Sequence, residues 1–424
     1  MKGQEISTIE HFLEFDSTYN VDRSVSEIND VVINPASGEQ INSMGEIRLI
    51  NQDDASFDRI SKSYIHMKGR ISSSTNVAYT DATQAAFVNN GPLFLFERAR
   101  LILGTTNFSV EDVIMPGIAS LMTGLIQYDT NREESYFVVD STTDVQSTGH
   151  TSRKAIITYK ERGTFDVIIP LEHIFGFCRT YDKILQGFVK ELVLTRTGVN
   201  NAVLRAADHP AAAITLTSLT WVIPRVYLSV EAKAHLYSKL KKPFDYTIPY
   251  TSQRLTTYAM PQGNREHRIN AGSFGGDNSR IVGAIIGFQT SLLNDQTRNT
   301  ALFHHINLER ISIELGGQKF PNTDVDYNFA NGDYTQAYKS LQDFKPFLDM
   351  LGRNRLISYK GFDSLYPLFV FDLSKQREPD DRSKVMEIVM KFSEAIPAAT
   401  SCHVLTFSDR MITVKSDGSN ISLI

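Results

Sequence analysis

The feature that most constrains this chain is that it repeats itself. Residues 96–108 read FERARLILGTTNF and residues 308–320 read LERISIELGGQKF, so Glu97, Arg98, Leu103, Gly104 and Phe108 recur as Glu309, Arg310, Leu315, Gly316 and Phe320. The offset is 212 residues, half of the 424-residue chain. Self-similarity at that period predicts one structural unit built twice. Each copy is a strand ending at a turn. Ile311, Ile313 and Leu315 alternate with Ser312 and Glu314, the period-two pattern of a sheet with one buried face, and the glycine supplies the positive φ of a tight turn. A proline-bearing, helix-compatible segment follows in both copies.

Length agrees, because 424 residues are long for one core and comfortable for two. Hydrophobic content of 42% and charged content of 21% exclude a long disordered or collagen-like chain, and 17 Tyr with 25 Phe lean towards strand. A net charge of −5 gives no general electrostatic reason to hold nucleic acid, which needs a concentrated basic surface. Cys178 and Cys402 are too few for a disulfide framework and read as buried free thiols, so folding in a reducing compartment is expected. The N-terminus lacks the charged start and apolar run of a signal peptide, and no run of about 18 apolar residues reads as a membrane span. A soluble, non-secreted chain is the expectation.

Taken in order, residues 1–27 read as an acidic arm without sustained period, 28–230 as a first sandwich, 231–243 (EAKAHLYSKLKKP) as a charged, helix-compatible linker and 244–424 as a second sandwich. Strands are predicted over 45–51, 63–71, 93–103, 154–160, 164–170, 188–195 and 213–230 in the first. The second half has them over 244–250, 254–260, 281–290, 306–315, 365–373, 384–392 and 401–414. One substantial helix falls in each half, within 110–128, with Pro116 in its first turn, and within 334–351. Many short strands with long loops describe antiparallel sandwiches, not a parallel sheet with crossover helices. Periodicity alone does not separate a jelly roll from an immunoglobulin-like sandwich, but a half of roughly 200 residues is generous for the latter, which needs about 100. The expected fold class is all-β, two tandem eight-stranded antiparallel jelly-roll sandwiches, each with a short helix insertion.

Motifs for chemistry are incomplete wherever they occur. His305, Glu309 and Gly316 partly match a cupin metal motif, but Phe303 stands where a further histidine belongs and Thr297 where a glycine does; two donors under-coordinate zinc or iron. His304 and His305 read instead as a loop-to-strand pair. Asp324, Asp326 and Asn328 have the spacing of a calcium loop, yet Phe329 and Thr335 occupy its glycine and glutamate positions. Gly272, Gly275 and Gly276 lack the Lys and Ser/Thr of a phosphate loop, and Cys178 has no motif pairing it with a histidine. Lys239, Lys241, Lys242, Arg265, His267 and Arg268 read as a solvated basic face that could neutralise a few phosphates. No catalytic residue, cofactor or metal ligand is expected.

The order of segments carries a resemblance. MPQGN (260–264), FGGDNSRIVGAIIGFQ (274–289), HINLERISIELGGQKFP (305–321), Asp333-Tyr334, Ala337-Tyr338 and FVFDLS (369–374) resemble the major capsid proteins of Polinton/Maverick and adintovirus-like DNA elements, within the double-jelly-roll lineage of virophage capsids and adenovirus hexons. GEIRLINQDDASFDRISKSYIHMKGRI and GPLFLFERARLILG in the first half are similar more loosely. The resemblance implies a structural protein and no enzyme: a homotrimer forming a pseudo-hexagonal capsomer in an icosahedral shell around double-stranded DNA. Neighbouring capsomers, penton and minor capsid proteins are the implied partners, DNA is touched weakly and indirectly, no small molecule is a substrate, and the place is the virion. The alternatives are a carbohydrate-binding module and a hydrolase or cupin on a doubled jelly roll.

Overall fold

The structure is a computed structural model that describes residues 24–36, 40–75, 77, 79, 85–104, 108–128, 136–157, 163–199, 201–240, 246–273, 280–344, 356–375, 385–414 and 421–423. The first half runs β1 (Val25–Ile33), β2 (Gly45–Asn51), β3 (Tyr64–Ser73), β4 (Ala85–Phe87), β5 (Phe96–Leu103), β6 (Phe108–Ile114), α1 (Pro116–Gln127), α2 (Thr148–Ala155), β7 (Thr164–Pro170), α3 (Gly176–Thr180), β8 (Lys190–Arg196), β9 (Val203–Arg205) and β10 (Ala212–Leu228). Helix α4 (Val230–Leu240) follows. The second half runs β11 (Tyr246–Ala259), β12 (Glu266–Ser273), β13 (Arg280–Thr290), β14 (Leu308–Leu315), β15 (Gln318–Phe320), α5 (Thr335–Asp343), α6 (Tyr359–Ser364), β16 (Leu368–Asp372), β17 (Val385–Phe392), β18 (Thr400–Val414) and β19 (Ile421–Leu423).

The strands pair twice in one pattern. In the first half the sheets are β1-β10-β3-β7 and β2-β8-β5-β6; in the second they are β11-β18-β13-β16 and β12-β17-β14-β15. Replacing β1, β2, β3, β5, β6, β7, β8 and β10 by β11, β12, β13, β14, β15, β16, β17 and β18 converts the first pair into the second, with every pairing antiparallel. That is the tandem of eight-stranded jelly rolls expected from sequence, with β4–β9 and β19 as additions. Period two fills the cores. Trp221, Ile65 and Ile169 stand in register across β10, β3 and β7, all buried, and the Trp221 indole donates to Ser63 Oγ at 3.0 Å.

The internal echo is a structural equivalence along its strand and turn, although its last letters are not equivalent: Phe108 pairs with Leu103 and Phe320 with Ile313. Gly104 and Gly316 both have positive φ, +82° and +54°. The backbone N–H of Met115 donates to Glu97 O at 2.7 Å, and that of Tyr327, 212 residues later, donates to Glu309 O at 2.7 Å. Arg98 binds Asp112, with Nε to Oδ1 at 2.7 Å, while Arg310 binds Asp324, with Nη1 to Oδ2 at 3.1 Å, again at the same offset.

Several local expectations change. Residues 25–33, read as the end of the arm and the start of the first sandwich with no strand assigned, form β1; it is exposed on both faces over most of its length, so its sequence carries no alternation, and pairing along β10 holds it extended. Residues 110–114 belong to strand β6, and the helix starts at Pro116. Residues 91–95 form a 3-10 turn before β5. The strand expected over 154–160 starts inside helix α2, whose Gly149, His150 and Arg153 face the core; 158–160 lie outside the described residues. Two expected strands over 244–260 are one, β11, because β18 pairs with it from Tyr246 through Ala259 without a break. Among the described residues the first half carries three helices before α4, not one. Strands β4, β9, β12, β15 and β19 were not foreseen; β12 hides in a polar stretch because only one face of it is covered. Among the described residues no helix is long and apolar enough to cross a membrane.

Candidate functional site

The residues singled out for chemistry are engaged in packing and ion pairs. His304 Nδ1 accepts from the Thr290 N–H at 3.1 Å, and His305 Nδ1 accepts from the Asn307 N–H at 2.9 Å while its ring stacks on Phe329 at 4.4 Å. Burial lowers the pKa of both below the ordinary histidine value. Glu309 faces Lys391 Nζ at 2.5 Å. Asp324 and Asp326 are held by Arg310, Asp324 also by Lys319, and Asn328 caps the 3-10 turn Phe329–Asn331. The acidic run is a braced turn with its carboxylates matched to cations. Among the described residues no group of three or more His, Cys, Asp or Glu side chains could hold a metal.

Arg268 reaches across the sheet to Glu387 at 2.5 Å and Glu314 at 3.5 Å, which removes it from a free basic face. Lys241, Lys242, Gly275 and Gly276 lie outside the described residues, as does the side chain of Lys239. Cys178 and Cys402 are buried free thiols, and burial pushes both pKa values up, away from a reactive thiolate.

What the structure does bring together is the seam between the two jelly rolls. At one end, Glu111 of β6 is buried and accepts three backbone N–H donors: Gly176 at 3.0 Å, Phe177 at 2.8 Å and, from the second roll, Gln253 at 2.7 Å. Burial raises its pKa against the pull of those donors. Gln253 Nε2 donates to Ile174 O, the Tyr250 hydroxyl donates to Val110 O at 2.8 Å, and the Thr251 N–H donates to Thr180 Oγ1 at 3.1 Å. Gly176 fits because a Cβ there would lie 2.2 Å from Thr251 O.

At the other end Asp140 is the hub. Its Oδ1 accepts from Arg153 Nη2 and from Ser147 Oγ, both at 2.7 Å, and its Oδ2 accepts from Asn299 Nδ2 of the second roll at 2.8 Å. Its N–H donates to the Tyr366 hydroxyl oxygen at 2.9 Å. Gln296 mimics a strand partner, exchanging two hydrogen bonds with the backbone of Ala212 at 2.7 and 2.9 Å. Because buried polar groups with satisfied partners are costly to separate, this seam makes one rigid two-roll block. Sequence reasoning missed Glu111, Asp140, Gln253 and Asn299, since an isolated polar residue in a strand or loop carries no spacing signal.

The outer sheet faces differ. In the first roll the outside of β1-β10-β3-β7 is uncovered among the described residues and partly apolar, with Ile28 57%, Val32 54% and Ile168 47% exposed. In the second, β13 is buried on both faces except at its two ends. A block with one covered and one uncovered side offers surfaces for assembly.

In sequence, residues 89–412 match the family described as a double jelly roll-like domain. No curated protein matches the sequence. In three dimensions the chain is similar to a chain of the Sputnik virophage cryo-EM structure, at 10% identity and a TM-score of 0.61, covering 99% of this chain and 93% of that one. It is similar to the mavirus major capsid protein at 11% identity and a TM-score of 0.54, covering 100% and 96%. The Faustovirus major capsid protein gives 8% identity and 0.54, covering 99% and 94%.

Proposed function

The chain belongs to the double jelly roll-like family, and on that premise we propose that it is a major capsid protein whose trimers tile an icosahedral shell around double-stranded DNA. The observation that carries this is the duplicated jelly roll locked into one block by the Glu111 and Asp140 seams. Two rolls per chain put six around a three-fold axis, so a trimer presents a six-cornered outline that packs a hexagonal lattice. Closed three-fold contacts are heterologous and cover sheet edges that would otherwise associate without limit. The fold neighbours support the reading, since those of mavirus and Faustovirus are major capsid proteins by name.

On this reading the chain divides into an arm over 1–27, whose last three residues already pair as the start of β1, rolls over 28–230 and 244–424 and a linker over 231–243. Its partners are two further copies, adjoining capsomers, penton and minor capsid proteins; DNA is touched only weakly; its place is the virion, after folding in a reducing compartment. The role is structural, without a catalytic residue. Static light scattering of the purified chain tests it: a stable three-chain mass at micromolar concentration is expected, and a persistent single-chain mass overturns it.

A further inference from the structure

His304 and His305, which do not make a metal centre, line a cavity that the capsomer reading leaves unused. It opens at one end of the second roll, between the loop joining β13 to β14 and helix α6. Its volume of about 430 Å³ falls within the ~300–1,000 Å³ of small-molecule sites. Arg298, Asp363 and Ser364 complete its polar lining, and Phe303 and Ile306 give it an apolar wall.

The hydrogen bonds of the two rings fix what they can do. Each Nδ1 accepts a backbone N–H, His304 from Thr290 at 3.1 Å and His305 from Asn307 at 2.9 Å, so the neutral ring carries its proton on Nε2. A metal at Nε2 would need that nitrogen's lone pair and would force the proton onto Nδ1, against the N–H already pointing there. Both rings are therefore donors, and neither Nε2 donates to another described residue. Arg298 adds a cation at the rim, its side chain 55% exposed, with Nη1 3.3 Å from Ser291 O and Nε 3.5 Å from Asp295 Oδ2.

Acceptors stand among these donors. Asp363 makes no hydrogen bond or ion pair with a described residue. Ser364 Oγ donates to Lys360 O at 3.0 Å, which leaves its lone pairs able to accept. The backbone is strained at the same place: Ile306, a β-branched residue, has a φ of +42° and Asn307 one of +54°, and such strain collects where a ligand is held. A bare anion would face Asp363 unmatched, and a neutral sugar would leave Arg298 unmatched. A ligand bearing both a carboxylate and hydroxyls satisfies the whole lining.

We propose that this cavity binds an acidic sugar: Arg298 and the two Nε2–H groups receive the carboxylate, Asp363 and Ser364 accept from hydroxyls, and Phe303 and Ile306 meet the apolar ring face. The site lies within the second roll and stands apart from the capsomer reading. Binding is coupled to protonation. Burial, with His305 and Arg298, lowers the pKa of His304, and burial lowers that of His305 against the pull of Asp363 and Glu394. A bound carboxylate favours the charged rings, so affinity should rise as pH falls.

Isothermal titration calorimetry of the full chain at constant ionic strength tests the site, with glucuronate and N-acetylneuraminate as probes and glucose and acetate as controls. One saturable site per chain is expected for a sugar acid, about tenfold or more tighter than for either control, since each control lacks one set of charge-assisted hydrogen bonds. The tighter of the two probes tells a uronic acid from a sialic acid. Affinity should rise from pH 8 to pH 6. Arg298→Gln should weaken binding by about tenfold or more, and Asp363→Ala should weaken the sugar acid while leaving acetate unchanged. Acetate binding as tightly as the sugar acids, or tighter sugar-acid binding by Asp363→Ala, overturns the sugar assignment. Neither saturable heat nor saturation transfer in NMR with either probe, or unchanged affinity in Arg298→Gln, overturns the site, and both results leave the capsomer reading standing.

Discussion

The two jelly rolls share a strand order and differ in what fills them. The first sinks charge into its interior. Asp58 and Lys190 have fully buried side chains 2.8 Å apart, and the same carboxylate accepts from Arg225 Nε at 3.0 Å, Asn51 Nδ2 at 2.7 Å and Ser56 Oγ at 2.5 Å. Asp140–Arg153 is a second fully buried pair and Glu111 a third buried carboxylate. The second roll has no buried Asp, Glu, Lys or Arg among its described residues. It stacks rings instead: His305 on Phe329, Phe329 on Tyr334 and Tyr334 on Tyr359, with Phe362 and Phe369 edge-to-face at 6.1 Å. Outside, the Arg98–Asp112 strut and its duplicate Arg310–Asp324 persist. Strand order is set by pairing and turns, which both copies retain, whereas an interior needs only to be filled and satisfied. Of these charged groups Glu111 and Asp140 reach the second roll, through Gln253 and Asn299, whereas the Asp58 cluster is internal to the first.

The largest expected effect is on the charged interior. Asp58→Ala leaves Lys190 buried without its counter-ion and should cost about 3–5 kcal/mol in denaturant unfolding; a loss no larger than that of a surface substitution would erase the contrast between the rolls. Phe362→Ala, in the ring cluster, should cost a similar amount, about 3–5 kcal/mol, by leaving a cavity, while Phe362→Leu should recover most of it. Asp58→Asn should recover little, since an amide cannot neutralise two cations. Conservative rescue therefore succeeds in the second roll and fails in the first.

Next in size is a pH effect at a buried histidine of the second roll. His403 is fully buried, with Nδ1 2.9 Å from Thr257 Oγ1 and Nε2 3.2 Å from Gln289 Oε1, and burial lowers its pKa from 6.5 to about 4. The unfolded chain takes up this proton below pH 6.5 and the folded one only near pH 4, so its contribution is complete above pH 6.5 and is lost as pH falls through that window. The loss is at most about 3 kcal/mol. His403→Gln should reduce the slope of the stability profile between pH 6.5 and 4, leaving the share of other histidines whose pKa burial lowers, His150, His304 and His305 among them; an unchanged slope would move the acid sensitivity elsewhere. Smallest of all, Arg98→Ala and Arg310→Ala remove exposed struts and should leave the thermal midpoint close to that of the unaltered protein, equally in both rolls.

The sequence made some of this legible for physical reasons. The echo at 96–108 and 308–320 reported duplication because both copies retain the same turn glycine and the same arginine strut. Strands with one buried face, such as β7, matched their expected bounds, since period two encodes that face. β1 was lost because neither face is buried along most of it, and β6 because its few residues run directly into a helix whose period masks theirs. The seams were invisible: Glu111 and Gln253 are 142 residues apart, Asp140 and Asn299 are 159 apart, and neither separation leaves a pattern in a single sequence.

Electron-microscope class averages of the purified, assembled chain test the central claim most directly. The account predicts three-fold particles with a six-cornered outline, each chain contributing two adjacent upright rolls. Two-fold particles, or single chains with no closed ring, would contradict it.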